Sequence, residues 1–199
     1  MFHLLLRGGW MMLPLLACSI IAVTVIIERL LFFRRISRPH RGEEVLALVR
    51  KGGTDDALSI ADEAASLPVM KVLSAGITHS FEPSGAMEAQ GVHELSSMRR
   101  GLVALDTIIT LSPLLGLLGT IIGMIDSFRV MELSGMGNPH AVTGGVAEAL
   151  ICTAAGIAVA VITLIPYNFF MARIDREAES IEAYATRLEV VLSAPAKER

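Results

Sequence analysis

The chemistry-bearing residues of this chain are hydroxyls and a carboxylate set in apolar surroundings. At 100° per residue, Ser112, Gly116, Thr120, Gly123 and Ser127 share one narrow helical face. Gly145, Ala149, Thr153, Gly156, Ala160 and Thr163 share another on a second apolar run. A hydroxyl donates and accepts, so threonines around a narrow space can hold water there, but they carry no proton themselves at neutral pH. Glu148 opens the second run, within a turn or so of Thr153. It fits either a hydrated carboxylate favoured by a helix N-terminus or a charge that draws cations to an opening. No Asp, Glu, His, Lys or Arg lies between Asp106 and Asp126, or between Glu148 and Arg173. Proton relays across a membrane use a titratable group within the span, so protons crossing here would need a carboxylate from another polypeptide.

Two readings fit the stripes. Small residues let helix backbones approach, and Ser or Thr can bond back to its own helix. Alternatively the stripes line a polar lumen. Thr120 lies about 20 Å from the inner end of its run and Thr153 about 13 Å from the outer end of the other. In a hydrocarbon layer of about 30 Å, antiparallel helices would bring both hydroxyls to similar depth. Thr120, Thr153, Glu148 and Ser112 are therefore the lumen candidates, with Asp106, Cys152 and Thr163 as secondary ones. Gly116, Gly119, Gly123 and Gly156 are candidates for close helix packing. Cys18 and Cys152 both fall in apolar runs, which suits small buried residues better than a disulfide or a metal pair. The five histidines (3, 40, 79, 93 and 140) form no ligand spacing, and no nucleophile–base pair or phosphate loop is present. The expectation is a non-enzyme with no cofactor and no metal.

These residues need membrane helices to position them. Of 199 residues, 53% are apolar, above the usual soluble share, and the excess is concentrated in three stretches. A net charge of −3 argues against nucleic acid as a partner. The first stretch, from Met11 to Ile27, carries no charge and is just long enough to cross the hydrocarbon. A signal peptide carries its positive charge before the apolar run, whereas Arg29, Arg34, Arg35, Arg38 and Arg41 follow this one, so an uncleaved anchor is expected. The other two stretches run from about Thr107 to Ile125 and from Ala149 to Ala172. The loop between them holds only Arg129, while Arg173, Arg176, Arg187, Lys197 and Arg199 follow the third. The positive-inside rule then places the N-terminus outside and the C-terminus in the cytoplasm, with Glu28-Arg29 marking the inner interface.

The expected organisation is an all-α membrane protein. Its parts are an outer N-terminal segment with the first span (1–34), a cytoplasmic helical domain (35–103), a second span (104–128), a short periplasmic loop (129–143), a third span (144–172) and a cytoplasmic C-terminal helix (173–199). Gly52-Gly53 should end a cytoplasmic helix, with Thr54 capping the next, and Pro68 and the Pro83-Ser84-Gly85 break should start others. From about Ala86 to Phe128 one continuous helix is expected. Ile174, Ile181, Tyr184, Leu188 and Val191 form a packing stripe below the third span.

The run Ser112-Pro113-Leu114-Leu115-Gly116-Leu117-Leu118-Gly119-Thr120-Ile121-Ile122-Gly123-Met124-Ile125, then Ser127-Phe128, closely resembles the second-span signature of the MotA/TolQ/ExbB proton-channel family. Gly145-Val146-Ala147-Glu148-Ala149-Leu150-Ile151-Cys152-Thr153-Ala154-Ala155-Gly156, ending in Pro166-Tyr167-Asn168, is similar to its third-span signature. Ile27-Glu28-Arg29-Leu30 and Gly137-Asn138-Pro139 add to the likeness, which points to the ExbB/TolQ branch over the four-span flagellar stators. The resemblance implies three spans with cytoplasmic extensions, assembled as a pentamer around a central pore in a bacterial inner membrane. It also implies a single-span ExbD/TolR-like partner carrying an essential aspartate, and a TonB/TolA-like protein that receives the work. The family's pore threonines map onto Thr120 and Thr153, and its third-span glutamate onto Glu148. There are two departures: the segment before the first span is short, and Cys152 stands where relatives often have Thr or another small residue. The expected function is a motor subunit that couples proton flow to work on the envelope, such as TonB-dependent outer-membrane transport. The alternatives are envelope stability, gliding motility, or a scaffold whose stripes only pack helices.

Overall fold

The structure, a computed structural model, describes residues 9–36, 41–134 and 139–193. The N-terminal segment with Arg7, the loop residues Gly137 and Asn138, and the basic residues Arg38, Lys197 and Arg199 lie outside the described residues. Among those described there are seven α-helices and no strand: α1 (Met12–Ile36), α2 (Gly42–Arg50), α3 (Thr54–Glu63), α4 (Pro68–Thr78), α5 (Pro83–Arg99), α6 (Leu102–Ser134) and α7 (Pro139–Ser193). Three stretches are long and apolar enough to cross a membrane: Met12–Arg34, Leu102–Glu132 and Thr143–Ser193. The all-helical, three-span class expected from the sequence is what the fold shows.

Helix ends follow local chemistry. Gly52 takes φ +81°, and Gly53 is the residue that caps α3. Thr54 is the first helical residue, and no side-chain cap bond forms there. Pro68 and Pro83 each occupy the first turn of a helix, where the missing N–H costs nothing. The expected continuous helix from Ala86 to Phe128 is broken. Arg100 turns to ψ 133° and Gly101 takes φ +78°, a left-handed setting open to glycine at little cost. In the other direction, α6 runs on to Ser134, past the expected end of the second span at 128. Pro113 and Pro166 stay inside α6 and α7.

The chain divides into two compact units, and the break at Gly101 is one of their boundaries. The first comprises Met1–Glu28 and Gly101–Asn168. In it Leu15, Cys18 and Ala22 line the buried face of α1 at spacings of three and four. Met11, Met12 and Leu15 pack with Cys152, Leu115, Ile122 and Ala155. The outward faces are uncovered and apolar: Leu13, Ile20, Leu114, Ile121, Leu150, Ile162 and Ile165 are all exposed. In water such faces would be costly; in a bilayer they meet acyl chains or neighbouring helices.

The second unit comprises Arg29–Arg100 and Phe169–Arg199. Its core joins α2 (Val45, Leu46, Val49), α3 (Ala57, Ala61), α4 (Val69, Met70, Val72, Leu73, Ile77), Met87 of α5, and Ile181, Leu188 and Val191 of α7. Ile181, Leu188 and Val191 of the C-terminal stripe thus pack into this core with Tyr184 half-buried at its edge, while Ile174 is buried outside it. Glu94, 7% exposed, accepts from Lys71 Nζ at 2.9 Å and from Gln90 Nε2 at 2.8 Å, so a nearly buried carboxylate is satisfied twice. Arg187 grips Glu43 through both terminal nitrogens, at 2.5 and 2.7 Å, and stacks over the Tyr184 ring. Tyr184 donates its phenol proton to Glu43 at 3.1 Å. Burial, then this bond to Glu43, pushes the Tyr184 phenol above its usual range.

Candidate functional site

The two stripes meet each other within one chain. A Cβ at Gly145 would strike the Ser127 hydroxyl, and one at Gly123 would lie 3.0 Å from Ala149 Cβ. One at Gly116 would lie 3.0 Å from Thr153 Cα, and one at Gly156 only 2.5 Å from the Ser112 carbonyl oxygen. Read in order, the partners run 127–145, 123–149, 116–153 and 112–156, so α6 and α7 are antiparallel. The backbones touch along this seam because no side chain separates them. Gly119 belongs to a neighbouring contact, where a Cβ would strike the Cys152 sulfur.

Thr153 donates its hydroxyl proton across the seam to the Gly116 carbonyl at 2.9 Å. Thr120 donates to Leu117, in its own helix, at 2.6 Å. Gly116 and Thr120 are one turn apart, so the two threonines lie within about 6 Å in depth. Both side chains are half-buried, at the edge of the seam and not sealed inside it. With their protons on carbonyls, both hydroxyl oxygens keep lone pairs able to accept from an outside donor.

Glu148 is half-buried and faces the N-terminal turn. It lies so close to Gly9 that a Cβ there would overlap its carboxylate; Gly9 takes φ +69°. Glu148 lines a small cleft of about 40 Å³ together with Asp126, Trp10 and Gly123. In the sequence Asp126 stands out only as the end of an uncharged run. Its partnership with Glu148 follows from the antiparallel register, in which residue 123 faces 149. Asp126 stands seven residues after Gly119 on the same helix face, so extending the Gly119 packing face, and not the hydroxyl stripe, would have found it.

The remaining candidates are placed differently from one another. Ser112 is fully buried, and its hydroxyl has no hydrogen-bond partner among the described residues. Thr163 is 1% exposed and donates to Val159 at 2.7 Å in its own helix. The chain itself covers both, the lumen candidate Ser112 and the secondary candidate Thr163. Cys152, 1% exposed, sits among Met11, Met12 and Leu15 and forms part of the helix contact. Asp106 is exposed at the start of α6, apart from the threonine layer. Among the described residues no group of His, Cys, Asp and Glu could hold a metal.

Comparison with known proteins is consistent in direction. The chain is 36% identical over 94% of its length to biopolymer transport protein ExbB-like 1 of Synechocystis sp., covering 76% of that protein. It is 37% identical over 94% of its length to ExbB-like 3 of the same organism, covering 92%. It is 35% identical over 88% of its length to an ExbB homolog of Methanothermobacter thermautotrophicus, covering 64%. Residues 62–183, which include the seam, both threonines and Glu148, match a family described as the MotA/TolQ/ExbB proton channel family. With three membrane-spanning helices and this match over most of its length, the chain belongs to the MotA/TolQ/ExbB proton channel family.

Proposed function

We propose that this protein is the multi-helix subunit of a proton-driven motor in a bacterial inner membrane, of the ExbB/TolQ kind. Five copies form a ring with the N-terminus in the periplasm and the C-terminus in the cytoplasm. A single-span ExbD/TolR-like subunit threads the ring and supplies the membrane aspartate that these spans lack. A TonB/TolA-like protein receives the work, which drives TonB-dependent transport across the outer membrane. The observation that carries this reading is the Thr120/Thr153 layer, hydroxyl-bearing and half-buried, in spans without a titratable group of their own.

The layer suggests how protonation does work. A neutral partner carboxylic acid can donate to either threonine oxygen without disturbing the bonds to Leu117 and Gly116. A carboxylate cannot donate, so binding it means rotating a hydroxyl away from its carbonyl, a bond worth about 0.5–1.5 kcal/mol. Each protonation therefore changes which wall the partner span prefers. A charge crossing 100 mV brings about 2.3 kcal/mol, more than such a switch consumes. Glu148 and Asp126 at the outer mouth concentrate cations there.

The test is Thr120→Ala with Thr153→Ala in the complex purified with its partners. Proton uptake into liposomes, read with a pH-sensitive dye, should fall at least tenfold while the complex still assembles. Unchanged uptake and unchanged envelope work would refute the motor. The second reading, a scaffold, draws on the seam itself, since the stripes pack tightly within one chain. A scaffold should assemble and work normally in the same double variant.

A further inference from the structure

Within the second unit, a cleft of about 150 Å³ opens between α1 and α7, lined by Leu30, Phe33, Arg34, Phe169 and Arg173. Its back is rigid: the Phe33 and Phe170 rings stack at 5.4 Å and 10°, and both are buried. Its front is uncovered, for Leu30 is 45% and Phe169 52% exposed. Leu30 and Arg34 are four residues apart, as are Phe169 and Arg173, so each pair lies on one helix face. One crossing separates α1 from α7, so both traverse the bilayer in the same direction. Each therefore presents an apolar side chain and then, about 6 Å closer to the arginine-rich side, a guanidinium. The result is a two-tier wall, greasy above and doubly basic below, at the depth where hydrocarbon gives way to head groups.

We propose that this cleft binds an anionic glycerophospholipid of the phosphatidylglycerol type, with the phosphate between Arg34 and Arg173 and an acyl chain along Leu30 and Phe169. Guanidinium forks match a phosphate in geometry and charge. Arg173 also interacts within the protein, but a guanidinium has five N–H donors and one such contact leaves others for a ligand. A zwitterionic lipid would bring an ammonium against two arginines, so the cleft selects for net negative charge. Basic residues near anionic lipid are each worth several-fold in affinity, giving a preference of about tenfold or more for two. The site needs only that α1 and α7 cross a bilayer, so it stands independently of the motor.

Trp10 is the single tryptophan of the chain, which allows a clean reporter. A Trp10→Phe, Phe169→Trp protein is reconstituted in phosphatidylcholine bilayers holding brominated-chain phosphatidylglycerol or brominated-chain phosphatidylcholine at equal mole fraction. The expected result is quenching by the brominated phosphatidylglycerol at about a tenth of the concentration needed for its zwitterionic counterpart. Arg34→Gln with Arg173→Gln on that background should erase the difference, and millimolar inorganic phosphate should not restore fluorescence. Equal quenching by the two lipids overturns the proposal, as does a preference that survives the double replacement. Displacement by inorganic phosphate would mean a free-anion site, and loss of quenching in the complex with partner subunits would mean that an acidic protein segment fills the cleft. Either result overturns it too. Should the double variant fail to assemble, Arg34→Gln alone, at an exposed position, should lose several-fold of the preference.

Discussion

Replacing Gly156 by Ala tests the seam most directly. A Cβ there would lie 2.5 Å from the Ser112 carbonyl oxygen, 3.1 Å from Gly116 Cα and 3.2 Å from Gly116 N. All three neighbours are backbone, so no side chain can swing aside and the two helices must part. Overpacking of this kind costs about 1–3 kcal/mol, and here the upper half applies because the displaced atoms belong to a helix. Alanine also gains about 1 kcal/mol over glycine in helix propensity, which masks part of the cost. Gly144→Ala supplies the correction: it shares that gain, and a Cβ at Gly144 meets nothing within 4 Å. The difference between the two variants is thus about 2–3 kcal/mol of steric cost. At about 2–4 °C per kcal/mol for a chain of this size, Gly156→Ala should melt roughly 4–12 °C below Gly144→Ala. Cys18 and Cys152 are both buried, so a thiol-reactive fluorophore reads the opening of the spans during heating in detergent. Equal melting of the two variants would refute the close contact of α6 and α7.

Further outcomes follow from the second unit and the helix break. Lys71→Met leaves the nearly buried Glu94 without its cation and should cost about 1–3 kcal/mol in chemical unfolding, more than Lys71→Met combined with Glu94→Leu. Gly101→Ala puts a Cβ on a residue at φ +78° and should destabilise by about 1–2 kcal/mol, whereas Gly53→Ala, at φ −83° with no neighbour nearer than 3.6 Å, should cost less, through the helix cap alone. The Tyr184 phenol is raised, so the fold favours its protonated form; this contribution is complete below about pH 10 and is lost as pH climbs through the folded value. The phenolate absorbance removed by Tyr184→Phe should therefore titrate above pH 10, and a midpoint at or below 10 contradicts the Glu43 contact.

Much of this fold was legible because bilayers impose coarse rules. Uncharged stretches of about 20 residues define spans without knowledge of what they touch. The stripes were legible too, since 100° periodicity is a property of one helix. Which way the stripes point is a property of two helices, and there the sequence was silent. Ser112 and Thr163 lie on the same stripes as Thr120 and Thr153 yet are fully covered, whereas the two threonines sit half-buried at the edge of the seam. The break at Gly101 was hidden for a related reason. Glycine is common in membrane helices, and only the observed φ of +78° distinguishes this one as a terminus. Asp126 gained its meaning from the register alone, since its partner Glu148 lies across the turn on another helix.

The absence of any acid or base inside the second and third spans also bears on cellular economy. Both threonine protons rest on backbone carbonyls, and no side chain between Asp106 and Asp126 or between Glu148 and Arg173 can pick one up and hand it on. On the reading proposed above, a copy without the polypeptide that completes it therefore has no group in these two spans to relay a proton. The motor proposed above would then stay closed to protons until its aspartate-bearing subunit joins it.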